Sequence, residues 1–465
     1  MQFDTFGYWL FFFTTLLLFA SLQQRNARIL LLTASYIFYA FWDVKFLLLL
    51  GGSTLGNYYL GQLIDTAEGR KKKLFLIITI AANLTLLGFF KYYNFFIDSF
   101  GNLFGFDNQS LILNIVLPVG ISFFTFEGIA YAIDIYRRDI RAQKSLFNFA
   151  LFISFFPHLI AGPIIRPHDY FPQLEQSWRL TPAIVQWSGY QIIKGLFKKL
   201  VLSDSVAVYA NLYFSGDDSV SVWAGVIAFG LQIYFDFSGY TDMARGCARL
   251  FGIYLPINFD RPYLATNISQ FWRTWHISLS SWLRDYLFIP LGGSRVDKWK
   301  VHRNLFIVMI LGGLWHGASW GFALWGLWHG LLLSLHKLFI EVSSEKVKEV
   351  FAKPAGQLIA WIITLLCVFI GWIPFRTASF DQAITVTKDF LSVWNFKLAG
   401  FPPEILWVAG FSAVYLLFDR RKIIDQRIEE GISWWGYILL MGAVLCIIDI
   451  LMVRNISIPF IYFQF

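Results

Sequence analysis

Long uncharged stretches, rather than alternation, dominate the hydrophobic pattern of this chain. Segments without Lys, Arg, Asp or Glu run from Thr5 to Gln24, Leu74 to Phe90, Asn108 to Phe126, Ser145 to Ile165, Ser219 to Phe235, Leu305 to Leu335, Ala355 to Phe375 and Gly431 to Ile448. Several approach or exceed the roughly 20 residues with which an α-helix crosses a bilayer. Shorter or interrupted stretches lie at Ile29 to Leu60, Ala183 to Tyr213 and Ile405 to Phe418. The pattern predicts an all-α, polytopic membrane protein with about ten to twelve membrane segments, several of them short or re-entrant.

A different pattern occupies the middle of the chain. From Ile268 to Phe288 the residues Ile268, Phe271, Trp272, Trp275, Leu279, Trp282, Leu283 and Tyr286 repeat at spacings of three and four, one face of a helix. Arg273, Ser280 and Arg284 fall on the other face. This predicts an amphipathic helix at the cytoplasmic boundary, and a plain membrane-surface anchor accounts for that pattern by itself. In FFPHLIAGPIIRPHDY, Pro157, Pro163 and Pro167 argue against a continuous helix, and the freed backbone groups then need protein or a wet cavity as partners. The charged stretches Glu341 to Lys353 and Asp419 to Glu430 are expected to be solvated loops.

Composition agrees with the membrane reading. Of 465 residues, 57% are hydrophobic and 15% charged, with 19 Trp, 21 Tyr and 50 Phe. Soluble domains carry about 25% charged residues, so an ordinary soluble enzyme is excluded, and so is a disordered chain. The net charge of +8 is expected in cytoplasmic loops rather than on a nucleic-acid face. Three basic clusters, Arg25 with Arg28, Arg70 to Lys73, and Arg137, Arg138, Arg141 with Lys144, place those loops inside and the N-terminus outside. Met1 to Phe6 carries no positive residue and no small-residue cleavage site follows, so the first segment is expected to stay as a membrane helix. Cys247, Cys367 and Cys446 are odd in number and far apart, and read as small core residues.

Ionisable groups inside uncharged runs are costly in lipid and mark candidate chemistry. His316 lies in LGGLWHGASWG between Trp315 and Trp320, with glycines at 313, 317 and 321 that on a helix would admit a neighbouring backbone. Its bland reading is a core histidine with satisfied nitrogens. Its functional reading is a proton acceptor, since imidazole exchanges protons near neutrality. His329 and His336 follow 13 and 20 residues later, about 20 and 30 Å along a continuous helix, too far to share a metal with His316. No HExxH occurs, so no metal is expected. Gly317 to Gly321 match G-x-S-x-G, but that motif needs a strand-to-helix turn, so Ser319 reads as a helix or histidine hydrogen-bond partner. His276 borders the cationic face of the amphipathic segment. Arg261, Arg273 and Arg284 suit phosphates or lipid head groups alike. Asp236 and Asp242 read first as partners of a nearby arginine.

The strings YFDFSGYTDMARG from Tyr234, FDRPYLATNISQFWRTWHISLSSWLRDYLFIPLGGSR from Phe259 and GGLWHGASWGFALWG from Gly312 closely resemble the membrane-bound O-acyltransferases. The similarity is to the alginate O-acetylation branch, with peptidoglycan and cellulose O-acetylation relatives and, more distantly, the D-alanyl transferase of teichoic acids. FPHLIAGPIIR from Phe156 and the ending FIYFQF add to it, so that the likeness covers the chain from about residue 110 onward. Gln270 and Thr274 stand where that pattern commonly has Asp and Arg.

The resemblance implies one membrane-embedded body over residues 1–465 around a central tunnel: N-terminal helices to 110, a catalytic core over 111–375 and C-terminal helices over 376–465. It implies His316 of WHG as catalytic base and His276 of RTWH as the second catalytic histidine. Trp272, Arg273, Arg284, Trp315, Ser319 and Asp236 are the candidate substrate contacts. The implied activity moves an acyl group, expected to be acetyl, from a cytoplasmic thioester, acetyl-coenzyme A or an acyl carrier, to an extracytoplasmic polysaccharide such as alginate or peptidoglycan. No bound cofactor is implied. The expected surroundings are bacterial inner-membrane lipid and a hydrolase-like extracytoplasmic partner. Two other classes stay open: a transporter or flippase with the histidines as proton relay, and a structural subunit of a polymer-export complex.

Overall fold

The computed structural model describes residue 3 and residues 5–105, 107–392, 401–419, 423–454 and 458–461. Every regular element among the described residues is helical, with no strand. Among the described residues five helices are long and apolar enough to cross a membrane, Gly69–Phe104, Val222–Leu250, Trp320–Val342, Pro354–Arg376 and Trp434–Leu451, and Phe6–Ser21 and Pro403–Leu416 are shorter apolar helices. Other apolar runs fold as shorter pieces. Trp434–Leu451 exposes Trp435, Leu439 and Ile450, the arrangement expected where lipid is the solvent. Val222–Leu250 is instead buried along nearly its whole length.

The chain divides into two compact units, residues 1–192 with 240–256 and residues 193–239 with 257–465. In the first, Thr5 caps the opening helix by accepting from the Tyr8 amide at 3.3 Å. The helices Lys45–Thr66 and Gly69–Leu87 are joined by a buried amide pair, Asn83 Nδ2 to Asn57 Oδ1 at 2.8 Å and Asn57 Nδ2 to Asn83 Oδ1 at 3.2 Å. Such interhelical polar pairs hold apolar helices where no hydrophobic effect separates helix from lipid. Two of the basic clusters meet here: Arg141 pairs with Asp65 at 3.2 Å and Lys72 lies over the Tyr136 ring at 5.5 Å.

The proline segment is broken, as its sequence implies, into Leu146–Ser154, Phe156–Leu159 and Pro167–Glu175. The Phe156 amide freed at the first break donates to Ser35 Oγ at 3.2 Å. In the short middle piece His158 faces Glu127, Nε2 to Oε1 3.0 Å, both side chains only 1% exposed.

Two stretches expected as loops contain helices instead. Glu345–Ala352 is helical, and so is Ile423–Glu430, while residues 420–422 lie outside the described residues. Of the ending FIYFQF only Phe460 and Ile461 are described. The cysteines are not alike: Cys247 is buried, Cys367 half-buried and Cys446 exposed, because Cys446 sits on the outward face of an apolar helix.

The second unit is organised on a helical hairpin. The uncharged run 305–335 is not one helix but the two arms Lys298–His316 and Trp320–Val342, reversed at Gly317–Ser319. A Cβ at Gly313 would collide with the Phe322 carbonyl, and one at Gly326 with the Met309 carbonyl. The glycines therefore do admit a close backbone, and that backbone is the other arm of the same run.

Candidate active site

The amphipathic segment does not form one helix. It is Ile268–Thr274, then Ile277–Leu283, then a π-helical turn Arg284–Phe288, broken at His276, whose φ of 41° and ψ of 56° are left-handed. Asn267 accepts from the Gln270 amide at 2.8 Å and starts the first helix. The residue at the break is held on several sides. The Ile277 amide donates to the Asn258 carbonyl at 2.9 Å, the Ser278 amide to Asn258 Oδ1 at 3.2 Å, and the Ser280 amide to the His276 carbonyl at 2.9 Å. A left-handed non-glycine residue costs about 1 to 3 kcal/mol and persists only where its surroundings over-determine it. The apolar stripe survives the break, with Ile268, Phe271, Trp275, Leu279, Trp282, Leu283 and Tyr286 buried.

His276 is wholly buried, with the Phe237 ring edge-on at 4.6 Å and Trp315 at 5.8 Å. It stands outside the membrane-spanning helices, and burial pushes its imidazole down to about 3, so it is neutral near pH 7. His316, the last residue of its hairpin arm and 4% exposed, has its ring centroid 6.2 Å from that of His276. Around His316 stand Trp315 at 5.1 Å, Trp325 at 5.2 Å and Phe375 at 5.2 Å.

The hairpin overturns the separation expected for His329. Trp325 touches both histidines, with its ring 4.8 Å from His329 and 5.2 Å from His316. Trp272 Nε1 donates to His329 Nδ1 at 3.3 Å. The wall continues through Trp372, which lies 4.9 Å from Trp275, and Trp372 Nε1 donates to the Tyr263 hydroxyl at 3.2 Å. That hydroxyl in turn donates to the Gly230 carbonyl at 2.5 Å. Three imidazoles thus share one aromatic cluster built from five separate stretches of sequence. No group of metal-ligating residues occurs among the described residues.

Comparison with known proteins bears directly on this cluster. The model of the MBOAT, membrane-bound O-acyltransferase family, matches residues 137–373, which include His276, His316 and His329. The probable alginate O-acetylase AlgI of Pseudomonas aeruginosa is 40% identical over 382 residues, 81% of this chain and 72% of the relative. The chain belongs to the membrane-bound O-acyltransferase family. The peptidoglycan O-acetyltransferase of Helicobacter pylori is 39% identical over 413 residues, covering 81% of this chain and 76% of its own length. The teichoic acid D-alanyltransferase of Bacillus subtilis is 28% identical over 281 residues, 58% of this chain and 71% of its own. The protein is a membrane-bound O-acyltransferase, and acyl donor and lipid are its implied surroundings.

Within this membrane-bound O-acyltransferase the other candidates fall in distinct places. Trp272 and Trp315 belong to the aromatic cluster. Arg273 and Arg284 are exposed, and Arg284 forks onto Asp285 through Nε at 2.6 Å and Nη2 at 3.0 Å. Ser319 is exposed in a helix-to-helix turn, so the strand-to-helix setting of a nucleophile elbow is missing. Gln270 Oε1 accepts from the Thr266 amide and hydroxyl, and Thr274 bonds back to the Gln270 carbonyl, so both are engaged in shaping the turn. Asp242 lies 3.6 Å from Arg245, the expected kind of partner. Asp236 pairs with a lysine: Lys199 Nζ lies 3.1 Å away. The lysine is supplied by a π-helical turn far away in sequence, which no local spacing announces.

Sequence reasoning missed Trp325 and Phe375 as neighbours of His316, Phe237 as a neighbour of His276, and His329 as the second histidine against Trp325. The Trp325–His329 spacing of four was a usable signal, since it sets both on one helix face. The reversal at Gly317–Ser319 was the step needed to bring that face onto His316.

Proposed function

We propose that this acyltransferase moves an acetyl group from a cytoplasmic thioester, coenzyme A or an acyl carrier, to a hydroxyl destined for an extracytoplasmic polysaccharide such as alginate or peptidoglycan. One observation carries the reading: two buried imidazoles, His276 and His316, stand 6.2 Å apart within the family-matched region. His316 acts as general base. The acceptor hydroxyl gives its proton to His316, its oxygen bonds to the acyl carbon, and the carbon–sulfur bond breaks. The departing thiolate takes the proton back. Neutral His276, unable to repel an arriving proton, is the second group of the pair.

The surrounding wall favours a polar guest at this point. Trp325 Nε1 and His329 Nε2 are buried with no hydrogen-bond partner among the described residues. Leaving such atoms unpaired costs about 1 to 3 kcal/mol each, so a substrate oxygen is welcome there. Arg273, exposed beside Trp272, is the better cation for an anionic donor, since Arg284 is already engaged by Asp285. The acetyl group is supported by the relatives, an alginate O-acetylase and a peptidoglycan O-acetyltransferase; the bacterial inner membrane and a separate extracytoplasmic acyltransferase that completes transfer to polymer are parts of the same proposal.

Thioester turnover by purified protein in detergent tests the reading. His316→Ala is expected to lower the rate by about two to four orders of magnitude, the usual worth of a general base. Unchanged turnover in that variant removes His316 from the role. Polymer-precursor movement without thioester cleavage would point to the transporter instead.

A further inference from the structure

The second unit contains a buried ionic cluster that the reaction above does not use. Lys199, 4% exposed, lies in the π-helical turn Phe197–Ser203, where the extra residue per turn re-aims side chains. Its ammonium has three N–H donors and meets three oxygens. These are Asp204 Oδ1 at 2.8 Å, Asp236 Oδ1 at 3.1 Å and the Ile458 carbonyl at 2.8 Å. Asp236 uses its other oxygen to accept from the Ile461 amide at 2.6 Å. The segment Ile458–Ile461 is therefore gripped by its main chain at both ends. Its side chains Ile458, Phe460 and Ile461 are at most 5% exposed.

A second line of contacts leads from this segment to a catalytic histidine. Phe460 packs on Phe237 with ring centroids 6.0 Å apart, and Phe237, the neighbour of Asp236 in sequence, stands edge-on to His276 at 4.6 Å. Phe259, one residue from the Asn258 that braces the His276 turn, also touches Phe237, edge-on at 5.2 Å. We propose that Lys199, Asp204 and Asp236 are positioning residues that dock the segment Ile458–Ile461 so that Phe460 presses Phe237 against the His276 ring. The device acts only through His276, and its catalytic consequence rests on the role given to that residue above.

A clasp of this kind is cheap to unbalance. Removing one member leaves a buried charge without its partner, whereas trimming Phe460 leaves the charges intact and loosens only the contact. The test uses the full chain in detergent and reads two quantities. The first is carbethoxylation of His276 by diethyl pyrocarbonate, followed by peptide mass analysis. The second is the split between kcat and KM for the thioester.

Phe460→Ala is expected to raise His276 labelling and to lower kcat by about ten-fold or more at unchanged KM, as a displaced catalytic group does. Phe460→Tyr is expected to restore both. Asp236→Asn, which keeps the side-chain volume, is the second variant if Phe460→Ala fails to fold, with the same expectations. Protection of His276 and an unchanged kcat in both variants overturn the proposal. His276→Gln separates the two ideas. Full turnover in that variant sinks the catalytic role of His276, while the labelling result still decides the positioning.

Discussion

The buried imidazoles of the two units are housed in opposite ways. His158, in the first unit, faces a carboxylate, Glu127, at 3.0 Å, and both side chains are 1% exposed. His276 and His316, in the second unit, are walled by Phe237, Trp315, Trp325 and Phe375. A carboxylate partner fixes the direction of an imidazole. Aromatic rings exclude water and fix the ring plane. The first housing suits a fastening between broken segments, the second the proton transfer proposed for His316.

The comparison breaks most sharply at Glu127. His158→Ala leaves that carboxylate buried and unpaired, and is expected to cost about 3 to 5 kcal/mol of stability while the folded fraction retains its kcat. Thermal unfolding in detergent together with turnover per folded molecule checks this. A loss of kcat at full stability would give His158 a chemical role and erase the contrast. The double variant Glu127→Gln, His158→Gln is expected to recover much of the lost stability, because no isolated charge remains.

The aromatic housing depends on the hairpin closing tightly. Gly326→Val puts a branched side chain against the Met309 carbonyl and is expected to cost about 1 to 3 kcal/mol, with a fall in turnover as Trp325 moves from His316. Normal activity in a destabilised Gly326→Val protein would show that the ring contacts around His316 are dispensable.

The smallest effect is a pH slope. His276 has its folded value depressed from 6.5 to about 3 by burial, so between these limits the unfolded chain binds a proton that the folded chain refuses. Its contribution to stability is present above 6.5 and is lost as pH falls toward 3. His276→Gln is expected to flatten that part of the melting-temperature profile. An unchanged slope would place the relevant titration elsewhere.

Much of the architecture was legible without a fold. Uncharged runs near membrane length announced the apolar helices, and the three prolines announced the break that carries His158, because both are local constraints on backbone solvation and geometry. The buried stripe through Trp275 and Tyr286 was also readable, since burial followed the three-four spacing even after the helix broke. The break itself was not. Nothing local marks His276 as left-handed; its conformation is held by Asn258, from the preceding loop. Reading the run 305–335 as one helix separated His329 from His316; the close backbone contact expected at Gly313 is there, but the reversal at Gly317–Ser319 that supplies it was not read. The pairing of Asp236 with Lys199 was likewise not legible, because an ion pair is set by distance in space and Lys199 is 37 positions away.

By itself the sequence determined solvent, helical class and family, because these depend on composition, period and short strings of residues that need no partner to be read. The tertiary structure alone decided which histidines stand together and what each one faces. Imidazoles act on what lies within a few ångströms, and here those neighbours arrive from the helix holding Phe237, the turn at His276, both hairpin arms and the helix ending near Phe375. Periodicity along a chain carries no term for such meetings. They are set by close glycine contacts, a braced left-handed turn and buried pairs made between remote residues.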